Sequence, residues 1–316
     1  MKTKNYFLLL TILTLSLSAL AKTSSTSELT NPKFEASKLV QQSFKKISAN
    51  YPTSENKMNA FYKERVTKNN DCISVNEAIL DINKSSYLTP KSDQLAVRDV
   101  RGNSNASESD CYMIKLQGGP VSALQLDVVK YPFLGSDIYN ISDNYNFEYD
   151  TPVEMDGKSF YVVNFNQKYT TGEMLFRGKI FIESESLAIG KIEFSMNVEN
   201  RGWAYTKFLK NKPKHSNVKM VSADYVVTYK EYNNRWYFDY STSSVSFNIY
   251  NKQESTFNTY TVNSQLAVTN LVAEEFTISK KDLLKSTDIL ADKTGDIKIA
   301  SEWDIFNLIM MLAING

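Results

Sequence analysis

The stretch SADYVVTYKEYNNRWYFDYSTSSVSFNIY, residues 222–250, decides the fold. Two runs rich in Tyr, Phe, Val and Thr flank Asn233-Asn234. Aromatic and β-branched side chains suit a pleated, half-buried surface. Asn tolerates the left-handed backbone of a tight turn. The stretch reads as a strand from Ser222 to Tyr232, a turn at Asn233-Asn234, and a strand from Arg235 to Tyr250. Two hairpins precede it. Phe147 to Met155 and Ser159 to Gln167 flank Asp156-Gly157, a pair suited to the type I′ turn. Leu175 to Glu183 and Leu187 to Val198 flank Ser184-Glu185. Thr256 to Thr269 adds a strand after them.

Working outward, Met58 to Lys68, Cys72 to Lys84, Leu95 to Val100 and Tyr112 to Leu116 also read as strands. Asn103 to Asp110 is a polar loop. Val121 to Lys130 suits a short helix with Leu124 and Val128 inward. Asn31-Pro32 starts a longer helix, with Pro at the first helical position. Phe34, Leu39, Val40, Phe44 and Ile47 make its apolar stripe, and Tyr51-Pro52 ends it. Lys280 to Leu290 and Glu302 to Ala313 look helical. The fold class is therefore mainly β (α+β). It is a large curved antiparallel sheet or incomplete barrel packed on an N-terminal helix, with short helices at the C-terminus.

The first residues are a separate matter. Lys2 and Lys4 precede an apolar run from Tyr6 to Leu17, and Ala19-Leu20-Ala21 supplies small residues where a signal peptidase cuts. The run is about a dozen residues, short of the ~20 that span a bilayer. Residues 1–21 are thus expected to be a signal peptide cleaved between Ala21 and Lys22. Residues 22–30 are a polar tether. Residues 31–316 form one β-rich domain with a helical C-terminal segment, 280–313. No transmembrane span is expected in the mature chain, and no Cys beside the cut offers a lipid anchor.

Charge is balanced, with 36 basic and 35 acidic residues. That leaves no electrostatic footprint for nucleic acid. An exported chain with two cysteines permits one disulfide, Cys72 to Cys111. Such a bridge would close a loop worth roughly 3–4 kcal/mol in the chain-entropy model. Two separate buried thiols are the alternative.

The search for chemistry is mostly negative. His215 is the one histidine, in a basic loop. One His and two distant Cys make no zinc site, and no nucleophile elbow or phosphate loop appears. No cofactor is expected. Four acids stand on strands among apolar residues: Glu64, Glu77, Asp81 and Glu193. Such acids serve either as a general acid and base pair or as structural charges paired inside a sheet. Arg177, Arg201 and Arg235 are the partners considered.

Several segments resemble, in order, a known pattern. They are Phe61-Tyr62-Lys63-Glu64, the run Glu77 to Lys84, the run Gly119 to Lys130, the run Phe176 to Ile182, Ser186 to Ile189, and Asn234-Arg235-Trp236-Tyr237. The chain resembles the C-terminal β-domain of exported Gram-negative proteins called carboxypeptidase-like regulatory domain-containing proteins. The regulatory β-sandwich that precedes this region in those proteins is not expected here, and nothing in the sequence resembles a carboxypeptidase metal site. The resemblance implies an incomplete antiparallel barrel around a helix, similar to the LolA-like lipoprotein-carrier class. It also implies the periplasm or outer-membrane periphery of a Gram-negative bacterium.

Three readings follow. The first is a non-enzymatic protein that binds a hydrophobic ligand, a lipid or a lipidated protein on the concave sheet face. Phe160, Val162, Phe181, Ile192, Phe194 and Val227 would form that face. The second is a scaffold or accessory subunit of an envelope protein complex, with the concavity filled by the chain itself. The third is a hydrolase using the embedded acids.

Overall fold

The computed structural model describes residues 32–104, 119–132, 141–168, 173–199, 201–209, 214–271, 276–286, 288 and 290. Ten strands form one antiparallel sheet. They are β1 (Asn56–Lys68), β2 (Asp71–Lys84) and β3 (Gln94–Ser104). Then come β4 (Tyr145–Met155), β5 (Lys158–Gln167), β6 (Phe176–Glu183) and β7 (Ile189–Met196). The last three are β8 (Ser216–Tyr232), β9 (Arg235–Asn251) and β10 (Thr256–Asn270). The expected mainly β class, with one large antiparallel sheet and a few helices, is what the chain adopts.

Local chemistry explains the hairpins. Asp156 and Gly157 have φ of 50° and 72°, and Asn233 and Asn234 have 49° and 60°. Asn69 and Asn70, at 50° and 75°, make the same kind of turn between β1 and β2. These primed turns match the twist of the flanking strands.

Long-range pairing is less local. The strand order is β3-β2-β1-β10-β9-β8-β7-β6-β5-β4. The chain lays β2 and β3 outward from β1, crosses to the far edge at β4, and walks back to β10. There β10 pairs with β1, with Glu64 opposite Ser264. The first and last strands therefore meet inside the sheet. Edge strand β4 carries a register shift between Asp150 and Val153, where Pro152 stands. An edge tolerates Pro because its outer N–H groups have no ladder partner.

One face bears the helices. α1 (Pro32–Lys45) packs against β4 and buries Ala36, Leu39, Val40 and Phe44. Each of the larger side chains contributes roughly 1.5–3 kcal/mol by leaving water. After Lys46 a short α2 (Ile47–Asn50) follows, and extended Tyr51 ends it. Arg235 closes this end by donating to the carbonyls of Ser48, Ala49 and Tyr51 at 2.8, 2.6 and 3.3 Å. A cation suits the open carbonyls of a helix C-terminus. In the crossing segment lie α3 (Gly119–Gln125) and α4 (Ile141–Asn144). A 3₁₀ turn (Ala204–Lys207) precedes β8.

Residues 280–286 differ from expectation. They are not a helix: Leu283 bridges Ala96, and the Leu284 N–H donates to the Leu95 carbonyl at 2.8 Å. The apolar residues that mimic a helical stripe serve the unpaired edge of β3 instead. Glu302 to Ala313, Tyr112 to Leu116 and residues 1–31 lie outside the described residues.

Candidate functional site

Register sorts the side chains onto two faces. On the helix-bearing face one rung runs Asn76, Glu64, Ser264 and Ser243 across β2, β1, β10 and β9. It continues through Tyr225, Phe194, Gly178, Phe165 and Phe147 to β4. The rung is polar at one end and aromatic at the other. At Gly178 a Cβ would run into the backbone of Glu193 and Phe194. Only glycine permits so close an approach of β6 and β7.

Two groups of ionisable residues lie on this face. The first is a buried cluster around Asp127, which follows α3. Its carboxylate accepts from Tyr87 and Tyr229 hydroxyls, both at 2.8 Å. The Lys84 ammonium stands at 2.7 Å from Asp127 and 2.8 Å from Asp93. Burial works against the Lys84 charge, and Asp127 and Asp93 outweigh it, so the ammonium is held above its usual value. Burial, followed by the Asp127 charge, pushes Tyr87 and Tyr229 well above the ordinary phenol range, so both remain donors. Lys84 and Asp127 are fully buried. Every acceptor direction of Asp127 is committed, and no substrate atom has room to approach. The cluster pins the crossing segment to β2 and β8. Neither residue stood out in the sequence as a site. The available signal was a Lys at the end of an apolar strand and an Asp inside Leu126-Asp127-Val128-Val129.

The second group surrounds a pocket of about 220 Å³. α3 and the 3₁₀ turn form one wall through Ala123, Leu126 and Phe208. Strands β1, β8, β9 and β10 form the other, through Tyr62, Glu64, Tyr225, Val245, Val262 and Ser264. Glu64 is 8% exposed. It accepts a hydrogen bond from the Tyr62 hydroxyl at 3.0 Å. Burial pushes its carboxyl above the usual range, against the lowering effect of Tyr62 and Asn76. Ser243 and Ser264 hydroxyls are 2.7 Å apart beside it.

The other three acids lie on the opposite face. Glu77 pairs with Lys63 at 2.9 Å and Arg101 at 2.6 Å. Asp81 pairs with Arg98 and accepts from Asn59 at 2.9 Å. Glu193 pairs with Lys191 at 2.7 Å. Their cations are thus Lys63, Arg98, Arg101 and Lys191. An open groove of about 640 Å³ crosses this face beside Glu193, Lys179 and Asp224. It is larger than the pocket, but its charges are paired with Asp150 and Ser195 and it is open to water.

The six apolar residues singled out in the sequence are all buried, and register divides them. Ile192, Phe194 and Val227 share the helix-bearing face. Val162 pairs with Phe181 on the other, where the Lys191 ammonium covers the Phe181 ring at 5.3 Å. Phe160 alternates with Val162 and meets Trp236 edge-on at 6.2 Å. Of the six, Phe194 reaches the pocket wall, by stacking on Tyr225 at 4.9 Å. Sequence reasoning missed Ala123, Phe208, Val245 and Val262. They come from segments far apart in the chain: Val245 and Val262 pair across β9 and β10, and Ala123 and Phe208 reach them from α3 and the 3₁₀ turn. Cys72 is an exposed thiol opening β2, and Cys111 lies outside the described residues. Among the described residues no group of acids, His and Cys is arranged to hold a metal ion, and no helix is long and apolar enough to cross a membrane.

No protein-family model matches the chain, and no curated protein matches it. Three solved structures are similar. A domain described as an outer membrane lipoprotein-sorting protein, from Vibrio parahaemolyticus, is 10% identical over 79% of this chain and 96% of that one, with a TM-score of 0.31. A DUF1329 family protein from Desulfovibrio piger is 9% identical over 76% and 94%, with a TM-score of 0.30. A LolA superfamily protein from Nitrosomonas europaea is 10% identical over 79% and 97%, with a TM-score of 0.27. Identities and scores this low carry nothing about activity or partner, so function rests on the site's own chemistry.

Proposed function

We propose that the chain is an exported, non-enzymatic binding protein. It takes a small amphiphile, or one end of a lipid or lipidated partner, into the pocket beneath α3 and the 3₁₀ turn. The observation that carries this reading is the pocket itself. Core side chains fill most of the helix-bearing face. Yet about 220 Å³ remains between apolar walls, with hydroxyls and a carboxyl at one end. Interiors normally leave few voids larger than a water molecule, and drug-sized ligands occupy about 300–1,000 Å³. A small ligand therefore fits as the pocket stands, and a whole acyl chain requires α3 to move. Hydrolysis is disfavoured because, among the described residues, no second acid lines the pocket with Glu64, while Glu77, Asp81 and Glu193 are tied to cations.

The test is titration of an apolar fluorescent amine, N-phenyl-1-naphthylamine, into wild type and Ala123→Phe. A saturable signal lost in the variant, with unchanged circular dichroism, supports the reading. No binding by wild type, together with no lipid in native mass spectra of gently purified protein, overturns it. A second reading, a scaffold in an envelope complex, draws on Tyr250 and Phe257. This cross-strand pair is 41% and 61% exposed, an apolar surface of the kind that partners cover.

A further inference from the structure

We infer that Glu64 selects ligands carrying an ammonium head, so that the pocket is a site for compact amines with an apolar tail. The inference rests on the pocket reading above and adds the chemistry of its inner end.

Compare Glu64 with the other buried acids. Glu77 has Lys63 and Arg101. Asp127 and Asp93 share Lys84. Glu183 accepts from the backbone N–H groups of Glu185 and Ser186 and from the Ser186 hydroxyl. Each is satisfied by a cation or by three converging donors. Glu64 is buried too, at 8% exposed, but its donors are two neutral side chains, Tyr62 and Asn76. Among the described residues no cation lies within ion-pair distance of it. Lys207 is the one cation lining the pocket, and it is exposed to water. An ionised carboxylate has about four acceptor positions. Leaving a buried charge without a counter-charge is costly.

A bound ammonium supplies what is missing. It donates to Glu64, and the paired Ser243 and Ser264 hydroxyls offer acceptors beside it. Its tail then meets Ala123, Leu126, Val245 and Val262. A volume of 220 Å³ equals roughly seven waters' share of the liquid, which suits a tail of about six carbons. A carboxylate head is excluded by repulsion, and an alcohol head leaves the charge uncompensated. Burial also holds the Glu64 carboxyl above the usual range. An amine that binds the ionised form must therefore expel a proton where the free site is still protonated. The other titratable groups lining the pocket are Tyr62, Tyr225 and Lys207.

The experiment is calorimetric titration of hexylamine, hexan-1-ol and hexanoate into the full mature chain, wild type and Glu64→Gln. Wild type should bind hexylamine at least 10-fold tighter than hexanol, with hexanoate weakest. Glu64→Gln should bring hexylamine to the level of hexanol. If the variant does not fold, wild type alone decides. Where the free site is still protonated, hexylamine should release protons on binding, read from heats in buffers of different ionisation enthalpy, and hexanol should release none. Equal affinity for amine and alcohol, or an amine preference that survives Glu64→Gln, overturns the inference and leaves the pocket reading standing. Absence of binding by all three probes removes both.

Discussion

Two buried ions on one sheet face behave oppositely. Lys84 is held by two acids, so removing it strands both. Lys84→Met should cost about 3–5 kcal/mol, the range for breaking a buried pair from one side. Urea denaturation would show this as a lower midpoint. Asp127→Asn in the Lys84→Met background should cost far less than the two single changes summed, because the groups share one network. Glu64 has the reverse character. Its carboxyl is raised by burial, so the native state holds its proton more tightly than the unfolded chain does. Such a group favours folding most below its unfolded pKa, and that contribution is lost as pH rises through the folded value. Glu64→Gln should therefore melt higher than wild type at neutral pH, by on the order of 1 kcal/mol, and the gap should close towards acid pH. A variant less stable than wild type at pH 7.5 would show that the charge is compensated in the resting protein.

Among the elements, α1 and β6 are the informative ones. Phe44 is 4% exposed in the α1 stripe, so Phe44→Ala should cost about 3–5 kcal/mol. An unchanged denaturation midpoint would make the helix a mere attachment. Gly178→Ala should destabilise by at least the ~1–3 kcal/mol of ordinary overpacking, because backbone rather than a movable side chain stands in the way. Hairpins were legible in the sequence because their cause is local: Asp156-Gly157 and Asn233-Asn234 make their turns whatever lies elsewhere. The helix stripe was legible for the same reason. Residues 280–286 depart from the expected helix because spacing alone cannot reveal an edge strand waiting for Leu283. Glu64 was legible as an acid out of place. Its pocket was not, since Ser264 and Ala123 reach it only through tertiary pairing. The same holds for Lys84 with Asp127.

For the whole molecule, the decisive feature is the seam between β1 and β10. It joins strands near opposite ends of the described chain, so contacts of large sequence separation dominate. Such topologies fold in milliseconds to seconds rather than microseconds. Stopped-flow refolding should show no faster phase that recovers native near-ultraviolet dichroism. There is also a consequence for a chain that emerges in order from a ribosome or an export channel. β1, β2 and β3 appear early and can zip together at once. β1 then presents a bare row of N–H and C=O groups until β10 arrives, almost last. An edge of that kind is a template for another copy of the same strand. Truncation before Thr256 would keep it permanently open, and such a product should sediment as aggregate while the complete chain stays in solution. The protein's most exposed moment thus comes before it is finished, and whatever escorts it through the cell must shield a strand that its own last strand will later cover.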